Sequence, residues 1–220
     1  MKVHSLFIQE KLEKKLKIKY DAIIIGAGVI GAAVSFELSK KGFKTLNIDR
    51  NPTSGYGSTS ASCAIIRVHY STFDGCALAY EGYHYWKKWE EYLEFKDEKG
   101  LAKFIECGCM IYQTKENEYL KNVMSRAQEL EIPYESWDPK MIKNKLPIVE
   151  TEQFGPVKLI SDKKFGKNNG ENLKGAIFFP TAGYISDPQL SAHNLQRASE
   201  KKGADYLFNS SVEKILIDRD

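Results

Sequence analysis

The sequence predicts an α/β chain in which a parallel sheet with helices is interrupted by an α+β insert. Three observations carry that prediction. An apolar run, Ala22-Ile23-Ile24-Ile25, ends at a glycine; a helix-compatible stretch and a second apolar run follow at once; and after about residue 100 the pattern changes to short alternating segments. With 220 residues, 42% hydrophobic and 12% aromatic, the chain has the apolar content for one sizeable core or two small ones. A repeat array, a collagen and a wholly disordered polypeptide are excluded.

The net charge of +3 is local: residues 1–19 hold six lysines against Glu10 and Glu13, and the remainder is close to neutral. A nucleic-acid binder carries a basic face across its fold, so nucleic acid is not an expected partner. The longest uncharged run, Ala22 to Phe36, is shorter than the ~20 residues a membrane-spanning helix needs. Residues 1–19 lack the apolar stretch and small-residue cleavage site of a secretory leader, so a cytoplasmic chain is expected. Cys63, Cys76, Cys107 and Cys109 form no CxxC pair and have no histidine at zinc spacing, so they are expected to be free and mostly buried thiols, with no metal.

In chain order, Ile8, Leu12 and Leu16 recur at helical spacing among lysines and glutamates, a weak amphipathic extension or, alternatively, a membrane-surface anchor. Ala22–Ile25 is a strand expected to be buried on both faces. Val29 to Lys41 is a packed helix ending at Gly42, and Thr45–Ile48 is a second strand leading to Asp49, which together make a right-handed βαβ unit. Residues 51–62, rich in glycine and hydroxyls, form a loop. Cys76, Ala79, Tyr83 and Trp86 begin an aromatic-rich helix running to Leu93 and closed off at Gly100.

Beyond it, Cys109–Tyr112 reads as a strand, Leu120, Val123, Ala127 and Leu130 as a helical stripe, and Asp138-Pro139 as the cap and first residue of another helix. Ala176–Phe179 is a further strand, and Ser161 to Lys174 a hairpin or loop. Asp187-Pro188 caps a helix to about Lys202, with Gly203 after it, and Val212 to Ile217 is a closing strand.

The chemistry concentrates in Gly26-Ala27-Gly28-Val29-Ile30-Gly31, between a predicted strand and a predicted helix. Gly26 permits the tight turn, Gly28 lets backbone approach a pyrophosphate, and Gly31 allows close helix–strand packing. The helix N-terminus offers unpaired N–H groups to phosphate. Asp49, 18 residues beyond Gly31, can accept hydrogen bonds from a ribose diol. These residues point to an ADP-containing dinucleotide, and NAD and FAD satisfy them equally.

The order of motifs resembles the FAD-dependent D-amino-acid oxidase and sarcosine/glycine oxidase superfamily. The resemblance rests on Asp21 through Ala33, Asp49-Arg50, Gly57 through Ser62, Ile65-Ile66-Arg67, Gly183 through Pro188, and Val212 through Ile215. It implies a Rossmann-like FAD-binding domain with an inserted α+β substrate domain: a basic extension over 1–19, FAD-binding parts over 20–100 and 183–220, and a partial substrate domain over 101–182. It further implies that Gly26, Gly28, Ile30 and Gly31 line the pyrophosphate and that Asp49 and Arg50 meet the adenosine. Ser58, Thr59 and Ser60 would hold phosphate or ribitol oxygens, and the Val212 backbone would face adenine. For the serines, turn chemistry is the alternative.

Arg67 matches an arginine that some relatives use to grip the substrate carboxylate, a surface ion pair being the alternative. His69 and Tyr70 lie just beyond; His69 is either catalytic or structural. Ala61 stands where some relatives attach flavin to a histidine, which excludes covalent attachment at that point. Cys107 and Cys109 offer no redox pair.

The implied activity is oxidation of the C–N bond of an amino acid or N-methylated amino acid by hydride transfer to FAD. A 2-hydroxy acid or glycerol-3-phosphate substrate, an NAD(P)-dependent dehydrogenase and a non-catalytic dinucleotide-binding subunit are the alternatives. Relatives run well past Asp220, so the fold is expected to be incomplete: a fragment, a chain completed by a second polypeptide, or a truncated frame.

Overall fold

A computed structural model describes residues 18–114 and 117–216. In chain order the elements are β1 (Ala22–Ile25), α1 (Val29–Lys40), β2 (Thr45–Ile48), β3 (Ile65–Ile66), α2 (Phe73–Lys87), α3 (Trp89–Leu93), β4 (Phe104–Ile105), β5 (Cys109–Gln113), α4 (Leu120–Glu129), β6 (Glu135–Trp137), α5 (Pro139–Lys145), β7 (Gly175–Phe179), β8 (Gly183–Ile185), α6 (Pro188–Lys201) and β9 (Asp205–Leu207). They divide into two compact units. The first draws on residues up to Ile65, Lys87–Phe104 and the residues from Ile185; the second on Ile66–Trp86 and Ile105–Tyr184. Residues 66–86 therefore cluster with the α+β insert and not with the Gly-rich segment.

In the first unit β1, β2 and β9 form a parallel sheet in that order, with Ile24 opposite Asn47 and Asn47 opposite Tyr206. Helices α1 and α6 pack against each other. Their buried residues include many small ones, Ala32, Ser35 and Ser39 beside Phe36 on one and Ser191, Ala192, Ala198 and Ser199 beside Asn194, Leu195 and Gln196 on the other. The buried hydroxyls are bonded, Ser35 Oγ to Thr45 Oγ1 at 2.9 Å and Ser199 Oγ to Tyr206 OH at 2.9 Å, so close packing leaves these polar groups partnered. Burial pushes the Tyr206 phenol up to about 12.

The cap of α6 follows its sequence: Asp187 Oδ1 accepts from Leu190 N at 2.9 Å, with proline at the first helical position. Asn194, one turn on, is fully buried and uses both ends of its amide. It accepts from Ala102 N (2.9 Å) and Trp89 Nε1 (3.3 Å), and donates to Gly100 O (2.9 Å) and Asp97 Oδ2 (2.9 Å).

In the second unit β7 lies between β5 and β6 in an antiparallel sheet. Trp137 stacks on Phe178 at 4.4 Å, over a cluster with Ile142 and Ala176. Leu120, Val123 and Ala127 are the buried stripe of α4, at the spacing the sequence predicts. Asp138 caps α5 by accepting from Met141 N at 2.7 Å. The 161–174 loop is closed at its base by a ladder in which Leu173 N donates to Thr151 O and Gln153 N to Glu171 O.

Four expectations need correction. β1 is half-buried on alternate residues and open on the others: Ile23 is 61% and Ile25 59% exposed, because nothing described covers that face. The aromatic helix is broken at Lys88, whose dihedrals leave the helical region, and it ends at left-handed Glu94 rather than Gly100. Trp89 thereby turns to Asn194 while Tyr83 stays in the second unit. The third parallel strand is Asp205–Leu207; residues 212–216 are not a strand, since no described segment pairs with them, and Ile217 lies outside the described residues. Cys63 and Cys107 are exposed, Cys109 is half-buried and only Cys76 is fully buried, although all four are free. The helix expected around Ile8, Leu12 and Leu16 lies outside the described residues.

Replacing Asn194 by alanine strands a buried amide N–H, a carbonyl and a carboxylate. The expected loss is about 2–4 kcal/mol of stability, seen as a lowered urea midpoint.

Candidate functional site: a dinucleotide cleft

At Gly26 the chain leaves β1 with φ +105°, a conformation that favours glycine, and a Cβ there would meet nothing within 4 Å. The chain then enters α1 with Gly28 as N-cap. At Gly31 the helix passes so close to the end of β1 that an added Cβ would lie 2.1 Å from Gly26 O. Asn47, fully buried on β2, ties the two together: its Nδ2 donates to Gly31 O (3.1 Å) and lies 3.4 Å from Gly26 O.

Two side chains from outside the motif hold its backbone donors. Asp49 accepts from Ala27 N through Oδ2 (2.7 Å) and from Asn51 N through Oδ1 (2.8 Å). Thr59, buried in the 51–62 loop, accepts from Val29 N at 3.0 Å, capping α1 from a distant segment because Gly28 has no side chain to do so. The first-turn amides of Ile30 and Gly31 have no intrahelical carbonyl to bond and carry the positive end of the helix dipole.

A cleft of about 430 Å³ opens at this point, lined by Ile25, Gly26, Gly28, Ile48, Asp49, Arg50, Asn51, Gly57, Ser58, Thr59, Ser210, Ser211 and Val212. Seven of the predicted cofactor residues, Gly26, Gly28, Asp49, Arg50, Ser58, Thr59 and Val212, thus converge on one cavity. Three do not line it. The Ile30 side chain is 79% exposed, Gly31 is consumed in packing, and Ser60 donates to Gly57 O within its own loop. A larger concavity of about 770 Å³ in the same unit, among Lys87, Trp89, Glu91, Lys96 and Lys201, is an open surface of mixed charge.

Sequence reasoning missed Asn47. Its signal was available: an amide in a short strand otherwise suited to burial between apolar layers needs buried partners.

The residues of the cleft fit a dinucleotide. Bare glycine backbone faces it, helix-start amides are available for a pyrophosphate, and each Asp49 oxygen, with one backbone donor bound, retains a lone pair for a ribose hydroxyl.

Arg67 and His69 stand in the second unit. The Arg67 guanidinium lies 4.6 Å over the Tyr70 ring, and its hydrogen bond with Tyr70 raises its pKa. Among the described residues no carboxylate is paired with it. His69 stacks on Phe179 at 4.9 Å, and its buried Nδ1 has no hydrogen-bond partner. Burial, with the neighbouring Arg67 charge, lowers its pKa to about 4, so it is neutral at physiological pH. Burial pushes the Cys109 thiol up, away from the reactive thiolate. Among the described residues no helix is long and apolar enough to cross a membrane.

A parallel α/β sheet whose first strand, Gly-rich turn and helix N-terminus open on an acidic strand end defines a dinucleotide-binding oxidoreductase fold. The model of the FAD dependent oxidoreductase (DAO) family matches residues 21–220, and the chain belongs to that family, whose cofactor is FAD. It is 26% identical over 198 residues to an N-methyl-L-tryptophan oxidase of Yersinia pestis, covering 89% of this chain and 46% of that protein. Among solved structures it is similar in fold to an L-proline dehydrogenase from P. horikoshii (TM-score 0.72, 21% identity, 91% of this chain and 46% of that one). It is likewise similar to a glycine oxidase from Bacillus cereus (TM-score 0.66, 21% identity, 91% and 49%). The chain spans about half the length of the curated relatives it matches.

Gly31→Ala is expected to prevent correct folding of the first unit, because backbone, not a flexible side chain, occupies the space; insoluble or protease-sensitive protein is the readout. As pH falls from 6.5 to about 4, an unfolded chain protonates His69 while the folded chain does not, so stability falls through this window. In His69→Phe, urea midpoints across that window are expected to flatten.

Proposed function

We propose that this chain is the cofactor-holding portion of an FAD-dependent enzyme that oxidises the C–N bond of an amino acid or N-methylated amino acid. The observation that carries the cofactor half is the convergence of Gly26, Gly28, Asp49, Ser58 and Val212 on one cleft at the start of α1. The substrate half is supported by relatives whose names denote an N-methyl amino acid, glycine or proline as substrate, and by Arg67.

When bound, FAD supplies the hydride acceptor. The chain's own residues bind and orient. The Gly26 and Gly28 backbone, at the positive end of α1, holds the pyrophosphate, Asp49 the ribose diol, Ser58 a further polar oxygen and the Val212 backbone the adenine. The planar Arg67 guanidinium holds a substrate carboxylate through two parallel hydrogen bonds. His69, neutral and packed on Phe179, serves that region as a shape element and not as a proton carrier. A second reading, a dinucleotide-binding subunit that docks with a partner chain, is favoured by the exposed Ile23 and Ile25 on β1.

The test is the visible spectrum of the purified protein with added FAD, followed by anaerobic addition of glycine, proline and N-methylated amino acids. Retained oxidised-flavin bands that bleach with one of these are expected. In Arg67→Ala the substrate concentration for half-bleaching should rise by about tenfold or more, since both charge-assisted hydrogen bonds are lost, with FAD affinity unchanged. Retained FAD that no substrate bleaches favours the subunit reading. Failure to retain FAD overturns the cofactor assignment for this portion.

A further inference from the structure

We propose that Asp97, Glu98 and His193 form a binding site for a divalent transition-metal cation, Zn²⁺ in the first instance, built in the first unit between the segment before β4 and helix α6. None of the three lines the dinucleotide cleft.

One ligand atom from each residue lies within 4.8 Å of the other two. His193 Nε2 stands 3.6 Å from Asp97 Oδ2. That is too long for a hydrogen bond, yet it is close to the about 3.4 Å separating two donors that share a tetrahedral ion at ordinary Zn–N and Zn–O distances. Nε2 is shielded from solvent and has no hydrogen-bond partner, an arrangement that costs free energy in a protein interior unless something else ligates the nitrogen.

The surroundings are those of an oriented ligand. The Asp97 side chain is fully buried, its Oδ2 accepting from Asn194 Nδ2 and its Oδ1 from Lys99 N, both at 2.9 Å. Asn194 is in turn held by its three other bonds, so the carboxylate is fixed by the kind of outer partner that tunes metal ligands. The exposed Glu98 contacts Arg197 Nε at 3.2 Å, and Arg197 also bonds Glu200. If Glu98 turns toward the other two ligands, Arg197 gives up its Nε contact and keeps Glu200 as a partner.

A second, independent feature points the same way. Ser54 is fully buried with an unpartnered Oγ, and it lines, with Thr53, Lys99, Asp187 and His193, a cavity of about 280 Å³. Of the three ligand residues His193 lines this cavity, which gives access to its imidazole. One imidazole and two carboxylates suit Zn²⁺, Mn²⁺ or Fe²⁺, and the imidazole disfavours Ca²⁺ and Mg²⁺.

The experiment titrates chelator-treated, full-chain protein with Zn²⁺ by calorimetry and repeats the titration with Co²⁺, whose visible bands report nitrogen and oxygen ligation. One ion per chain and a melting temperature that rises with Zn²⁺ are expected. Glu98→Gln changes an exposed side chain and should fold normally. It and His193→Gln should each weaken binding by more than the roughly tenfold loss typical of an outer-partner mutation. Absence of stoichiometric binding overturns the proposal, leaving His193 and Asp97 as a plain contact. Equal affinity in both variants and the parent overturns it as well, since the ion then sits elsewhere.

Discussion

The close approach of Gly31 to the Gly26 carbonyl is the constraint on which the cofactor half of the molecule depends. With no Cβ in the way, α1 begins directly over the end of β1, and its first-turn amides stand at the head of the sheet. Three side chains secure that position. Asn47 bonds the Gly31 carbonyl and lies beside that of Gly26, Asp49 holds the Ala27 amide, and Thr59 holds the Val29 amide. The result is a loop whose donors are placed before any ligand arrives, so little ordering cost falls on binding.

What was legible in the sequence was what is local. The strand, glycine turn and helix span Ala22–Lys40, and the caps at Asp138 and Asp187 act within three residues, so spacing alone locates them. Pairing is different. Val212–Ile217 has the stronger β-forming composition, but Asp205–Leu207 finds β2 as a neighbour, and a ladder needs two sides. Nor does the sequence reveal that the Thr59 hydroxyl, 30 positions from Val29, reaches under the helix start while Thr59 also lines the cleft. Asn47 announced itself only as a polar residue in an apolar strand.

The second unit shows how packing sets charge state. Arg67 and His69 are two residues apart, and both are basic by type. The arginine rests on the face of Tyr70 and keeps its charge, while the histidine is pressed against Phe179 and loses its own. Of these two residues only the arginine carries charge at physiological pH.

The anchoring of the glycine turn by Asp49 and Thr59 bears on how such a motif could be moved between proteins. The six residues from Gly26 to Gly31 are not a self-sufficient module, because two of their backbone donors are satisfied by side chains that come later in the chain and one of their carbonyls by Asn47. A graft that carries the hexapeptide alone would leave those groups to water or to each other. The smallest transferable piece is discontinuous: the turn, the strand bearing Asn47 and Asp49, and the loop as far as Thr59.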